Sequence, residues 1–290
     1  MSFRVILIII AMFSALTESL AVQRRYLAPM EDSRWEMTVS NGVQCEMEHV
    51  IPYFGKAIFS QEAGRKLRLK LVTQQRFKPG IEVEFFSESP IWKTTSTAFS
   101  IGNLITGGGE ILIDVPTVAA EYAFLELHNG YQAGFYFPVS QDNLIDSVLV
   151  SMSTVRFRSV QPLFEQCVGG LYPENFEDIR SAGIHFDHDD EFPRIEEEDS
   201  AFLGLFSYLK VDNKINEIVI SGHADFSGSE CYNDTLSSRR AWYVYDMLVS
   251  NGIDPSKIRV NYFGETQPVT QGKSEADLLA NRRVTVKLYR

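Results

Sequence analysis

Between Ile218 and Ala241 the chain reads IVISGHADFSGSECYNDTLSSRRA, and two of its side chains have the types and spacing for ligand recognition. Asp225 follows a strand-like run (Ile218, Ile220) that breaks at Ser221-Gly222. Arg240 lies in the first turn or two of a helix predicted from about Leu236, where Ala241, Val244, Tyr245 and Leu248 recur at helical spacing. Ser237 or Ser238 is the expected cap, because a hydroxyl there can accept an orphan backbone N–H. A carboxylate and a guanidinium on one strand–loop–helix edge can grip a zwitterion, the first taking an ammonium and the second a carboxylate. Hydrolysis would need a nucleophile–base pair or a metal triad. His223 and Asp225 are i, i+2 at a strand end with no G-x-S-x-G turn, so no enzyme is expected.

The remaining chemistry-bearing residues are weaker candidates. His185 and His188 form a His-x-x-His pair among Asp187, Asp189, Asp190 and Glu191, a donor set that could suit a divalent metal. If the strand continued, the two rings would point to opposite faces, so the stretch reads as an acidic surface loop. No metal and no other cofactor is expected. His49 and His128 are isolated and read as structural or solvated. Gly107-Gly108-Gly109 lacks the strand, lysine and helix of a phosphate loop and reads as a hairpin turn.

The elements that must position these residues fall into two halves. From Tyr26 to about Val150 the pattern is strand-like: Trp35–Val39, Leu67–Leu71 and Ile81–Phe85 alternate, while Ile111–Ile113 and Tyr122–Leu127 are short apolar runs. Lys78-Pro79-Gly80 and Asn129-Gly130 mark turns, and no useful helical periodicity is visible, so an antiparallel β-barrel-like or sandwich domain is expected. Residues 151–179 read as a connecting segment with a helix around Gln161–Cys167. From 180 to 290 the order is β-α-β-α-β-α-β, with strands at Ile179–Phe186, Ile218–Gly222, Lys257–Phe263 and Arg283–Tyr289. Helices are expected at Ile195–Leu209 and Ser274–Ala280 besides the one bearing Arg240. That order suits an α/β sandwich whose mixed sheet carries its helices on one face.

At 290 residues there is chain for two cores. The net charge of −11 argues against nucleic acid and anionic membrane surfaces as partners. Residues 1–21 read as an export signal: Arg4, an apolar run from Val5 to Phe13, and Ser19-Leu20-Ala21 as a small-x-small cleavage site. The run is too short to span a bilayer, so the protein is not expected to be membrane-spanning, and its first cysteine, Cys45, lies far beyond the cleavage site.

The residues just described resemble the signature of OmpA-like peptidoglycan-binding domains. The likeness rests on Gly222-His223-Ala224-Asp225, Gly228, Tyr232-Asn233, Leu236-Ser237 and Arg239-Arg240-Ala241, and continues through Gly252-Ile253, Gly264-Glu265 and Asn281-Arg282-Arg283-Val284. It implies that Asp225 and Arg240 bind the diaminopimelate of a peptidoglycan stem peptide. Asn233 would add an amide hydrogen bond, Leu236 an apolar floor, and His188 and Asp189 would border the groove. Asp277-Leu278 departs from the Gly-Arg pair common in that family.

The first half resembles the N-terminal domain of the MotY family through Tyr26-Leu27-Ala28, Trp35-Glu36-Met37, Cys45, Ile51-Pro52, Phe54-Gly55, Phe59-Ser60 and Phe176–Ile179. The resemblance implies a periplasmic component of a sodium-driven polar flagellar motor. Its first domain would associate with the basal body and a MotX-like partner, and indirectly with a PomA/PomB-type stator. A general envelope-stability protein linking another complex to peptidoglycan is the alternative. Three cysteines allow three pairings; Cys231 lies in the binding-loop region, which favours Cys45 with Cys167.

Overall fold

The computed structural model describes residues 23–90, 93–94, 97–138, 147–193 and 200–290. The expected export segment and the Glu196–Glu198 start of the expected helix lie outside them.

The first unit begins with β1 (Gln23–Tyr26), β2 (Trp35–Ser40), β3 (Gln44–Ile51), β4 (Gly55–Glu62), β5 (Arg68–Thr73), β6 (Glu82–Glu88), β7 (Ala98–Ile105) and β8 (Ile111–Val115). It ends with α1 (Thr117–Asn129), β9 (Gln132–Phe137), β10 (Ser147–Met152) and α2 (Phe157–Gly169). Two five-stranded sheets result, in the orders β2-β3-β4-β5-β8 and β1-β10-β9-β6-β7. Alternation drives them: in β3, Cys45, Met47, His49 and Ile51 turn inward while Gln44, Glu46 and Glu48 do not. Both sheets bury their inner faces in one aromatic-rich core, where Phe85 and Phe135 stack at 4.7 Å and Trp35 meets Phe157 edge-on at 5.1 Å.

Four expectations are corrected here. The sheets do not close into a barrel, and β1 runs parallel to β10. Gly107-Gly108-Gly109 is not a hairpin turn but the passage from one sheet to the other, with Gly107 N–H donating to Leu112 O at 2.7 Å. The run Tyr122–Leu127 is helix, not strand. Ala120, Ala123 and Leu127 are its buried stripe, at helical spacing that four consecutive apolar residues conceal, and Gly130 ends it in the left-handed region at φ 80°. The helix expected at Gln161–Cys167 exists as α2, but Phe157 and Phe164 place it in the first core rather than between units.

The second unit follows α3 (Phe176–Ile179) with β11 (Ser181–His185), α4 (Ser200–Leu209), β12 (Glu217–Gly222), α5 (Glu230–Ser250), β13 (Ile258–Tyr262), α6 (Glu275–Asn281) and β14 (Arg283–Tyr289). Its sheet order is β11-β14-β12-β13, mixed because β12 and β13 are parallel. Ile218, Ile220, Val284, Val286 and Leu288 share a core with Phe202, Leu205 and Tyr208 of α4 and Ala241, Val244 and Leu248 of α5. Each aliphatic side chain of Val size or larger among them contributes roughly 2 kcal/mol by leaving water.

The units are not independent. Val43 and Ala63, from the first, are buried in the second core, and Lys214 donates to Gln44 Oε1 at 2.9 Å. Cys45 and Cys167 are disulfide-bonded, tying the base of β3 to α2, while Cys231 is free and exposed. Among the described residues no helix is long and apolar enough to cross a membrane.

Candidate functional site

A cleft of about 320 Å³ opens where β12, the N-terminal half of α5 and the loop after β11 meet. Its wall includes His188, Asp189, Asp225, Asn233, Leu236 and Arg240, all six expected from sequence, together with Ala224, Ser227, Gly228, Tyr232 and Arg282.

The local folding that builds it differs from expectation at α5. The helix starts at Glu230, not Leu236, and its cap is Ser229, whose hydroxyl accepts from Tyr232 N–H. The small polar residues before Leu236, read as loop, are the first two turns. Ser237 is therefore mid-helix and buried, bonding Asp234 O at 2.9 Å and accepting from Gly264 N–H at 3.0 Å. Arg240 accordingly sits deeper along the helix than its sequence position suggests. Two glycines set the approach of the parts. A Cβ at Gly222 would lie 2.1 Å from Ser237 O, and one at Gly228 would lie 2.5 Å from Asn233 Oδ1.

Asp225 is 5% exposed and already paired, with Arg282 Nη1 donating to its Oδ2 at 3.0 Å. Ser227 donates both its backbone N–H, at 2.9 Å, and its hydroxyl to the other oxygen. Burial works against the charged form, but the bonds from Ser227 and Arg282 outweigh it and hold the carboxyl below its ordinary range. Arg282, 4% exposed, also bonds Glu275 and donates Nε–H to Phe186 O at 3.0 Å.

Arg240 shows no exposed surface. It donates to Asp190 O at 2.8 Å, Asp187 O at 3.1 Å and His223 O at 3.4 Å, and its guanidinium lies 4.9 Å from the Phe186 ring centre. Burial, and then Arg282, push its pKa down to about 10, which leaves it cationic at neutral pH. It thus organises the loop bearing His188 and Asp189 besides charging the cleft wall. Asp189 holds φ 62° and accepts the Tyr232 hydroxyl, while Asn233 donates to Glu265. One buried carboxylate and two buried guanidiniums around a partly open cleft suit a ligand carrying a carboxylate beside an ammonium.

The sequence missed the part played by Arg282, and a signal for it existed. It keeps the parity of Val284, Val286 and Leu288, the inward side of the last strand, where a cation must find a partner. Asp277, the departure noted above, forms the capping box of α6 with Ser274 and accepts from Thr270 Oγ1 at 2.8 Å.

His223 lies behind the site rather than in it. It stacks on Phe263 at 5.4 Å, and burial, then Arg283 and Lys287, push its pKa down to about 4. His49 is structural: it stacks on Trp35 at 4.9 Å, its Nδ1 lies 2.8 Å from Arg34 O, and its Nε2 accepts from Ser153 N–H at 3.3 Å. Among the described residues no cluster of His, Cys, Asp and Glu is placed to hold a metal ion.

Comparison with known proteins gives two family matches. A model described as the MotY N-terminal domain matches residues 26–173, just over half of the chain, and one described as the OmpA family matches residues 189–282. The chain is 27% identical over 279 residues to the sodium-type flagellar protein MotY of Vibrio parahaemolyticus, covering 92% of this chain and 91% of that protein. It is 42% identical over 67 residues to outer membrane porin F of Pseudomonas fluorescens, covering 23% of this chain and 21% of that protein. Among solved structures it is similar to the peptidoglycan-associated lipoprotein of Burkholderia pseudomallei, at 26% identity and a TM-score of 0.34, over 37% of this chain and 90% of that one.

Proposed function

The chain belongs to the MotY family, its MotY N-terminal domain followed by an OmpA-family domain, and from this membership we propose that it is a non-enzymatic tether of a flagellar motor. In this reading the protein is exported to the periplasm by residues 1–21. Its second unit holds peptidoglycan, and its first holds a MotX-like protein at the basal body, so that the PomA/PomB-type stator is braced around a sodium-driven polar motor.

The observation that carries the reading is the charge arrangement of the cleft. Asp225, kept ionised by Ser227 and Arg282, accepts the ammonium of a diaminopimelate side chain. Arg240 and Arg282 supply the positive field facing its carboxylate, strengthened because both are out of bulk water. Leu236 offers an apolar floor and Asn233 an amide, with His188 and Asp189 at the rim. No bond is made or broken.

The test is sedimentation of the purified protein with isolated sacculi. Asp225→Asn, which keeps the shape of the side chain, should lose most of the bound fraction; because it also unpairs the buried Arg282, binding is read well below its lowered unfolding midpoint. Undiminished binding by Asp225→Asn would sink the assignment of the cleft.

A further inference from the structure

The two buried guanidiniums of the cleft are partnered differently. Arg282 bonds two carboxylates, those of Asp225 and Glu275, and one carbonyl, Phe186 O. Arg240 bonds carbonyls alone, those of Asp187, Asp190 and His223. Arg239 and Arg282 form ion pairs, whereas Arg240 forms none among the described residues. A guanidinium has five N–H donors, so two on Arg240 remain unused. A wholly buried cation that has lost its hydration and lacks a carboxylate is a site for an anion.

Asp225 is the complementary case. A carboxylate offers about four acceptor sites. The N–H and hydroxyl of Ser227 take two on one oxygen, and Arg282 Nη1 takes one on the other. One site is left, beside Arg282. Asp225 is buried and its far side is closed by those same partners, so that site is reached only through the cleft.

Once Asp225 and Arg282 neutralise each other, the walls keep one buried positive charge, on Arg240, and one open acceptor site, on Asp225. Asp189 and Glu275 are exposed, so water screens them and they offset Arg240 weakly. A zwitterion matches this remainder, and a ligand lacking either charge does not. Diaminopimelate in a stem peptide carries its free ammonium and free carboxylate on one carbon. A cross-link acylates that nitrogen, and amidation turns that carboxylate into a carboxamide. The acylated nitrogen is neutral, so its bond to Asp225 is no longer charge-assisted, and its acyl chain must find room beside a carboxylate enclosed by Ser227 and Arg282. The carboxamide leaves Arg240 without an anion and adds two N–H donors where the wall already presents donors.

We propose that the cleft reads the modification state of the stem peptide, taking diaminopimelate whose side-chain ammonium is not acylated and whose side-chain carboxylate is not amidated. The tether then holds the wall at stems that have not accepted a cross-link. This rests on the peptidoglycan reading above and narrows its ligand.

The test is calorimetric titration of the purified protein with the tripeptide L-Ala-γ-D-Glu-meso-diaminopimelate, its side-chain N-acetyl derivative and its side-chain amide. Each derivative should bind at least about tenfold more weakly than the parent, as expected when a charge-assisted contact becomes a neutral one. The net charge of −11 would by itself favour the amide, the less anionic peptide, so a preference for the parent reports the cleft. Equal binding of the parent and either derivative would overturn the proposal and leave the peptidoglycan reading intact. If the parent tripeptide and sacculi both failed to bind, the reading would fall and the proposal with it. Binding of sacculi without binding of the parent tripeptide would overturn the proposal alone, since recognition would then lie outside the diaminopimelate.

Discussion

At the residue scale, the informative feature is that Asp225 and Arg240, the pair proposed to bind ligand, also hold the fold. Asp225 satisfies a 4%-exposed Arg282, and Arg240 satisfies three backbone carbonyls. Truncating either to alanine therefore confounds binding with folding. Arg282→Ala should cost on the order of 3 kcal/mol in denaturant unfolding, because it strands a buried carboxylate. The Asp225→Ala/Arg282→Ala double variant should lose clearly less than the sum of the singles, a coupling that a double-mutant cycle measures. Acid sensitivity belongs to a different pair of residues. His223 and His49 titrate below the ordinary histidine value when folded, so the unfolded chain takes up protons first as pH falls. Their contribution to stability is complete above pH 6.5 and, for His223, is lost progressively down to about pH 4. The contribution of Asp225, whose pKa is also lowered, is present above the ordinary carboxylate value and lost only as pH falls below it. His223→Phe should therefore flatten the decline of the unfolding midpoint between pH 6.5 and pH 4. An unchanged decline would move that sensitivity to other groups.

At the element scale, two local devices set the site and the joint. The Ser229 cap starts α5 early enough to bring Tyr232, Asn233 and Leu236 to the cleft. Ser229→Ala should lower stability by about 1 kcal/mol and weaken sacculus binding through the frayed first turn. The Cys45–Cys167 bond closes a long loop of chain, worth ~4–5 kcal/mol in the chain-entropy model. Cys45→Ser should lower the unfolding midpoint sharply and Cys231→Ser hardly at all; the reverse order would contradict the pairing. Much of this was legible beforehand. The strands with strict alternation, Trp35–Val39 and Arg283–Tyr289 among them, stand where the pattern puts them, because period two has few other readings. Elements without a clean period were misread. The helix α1 hides its stripe inside a continuous apolar run, and the first turns of α5 are built of residues that also suit a loop. Barrel closure and the reach of Arg282 to Asp225 depend on contacts distant in sequence, which a local pattern does not encode.

At the scale of the whole molecule, α2 and its disulfide belong to the first core, and Val43 and Ala63 belong to the second. On the function proposed above, the division of labour would fall near residue 173, with residues 22–173 docking on the motor and residues 174–290 holding the wall. A fragment ending at residue 150 would lack α2, Phe157, Phe164 and Cys167, and should fail to fold as a unit. The fragment 22–173 keeps its aromatic core and the Cys45–Cys167 bond, so it should fold and, on the proposed function, still reach the flagellated pole. It should restore motility weakly at best, since nothing would then brace the stator against torque. The fragment 174–290 keeps the cleft but loses the cover of Val43 and Ala63. It should bind sacculi with a lowered unfolding midpoint, spread around the cell envelope and give no motility. Fluorescent fusions of the two fragments in a strain lacking the protein separate these outcomes. Polar localisation by the fragment 174–290 alone would reverse the assignment, because it would place motor recognition on the same unit as the cleft.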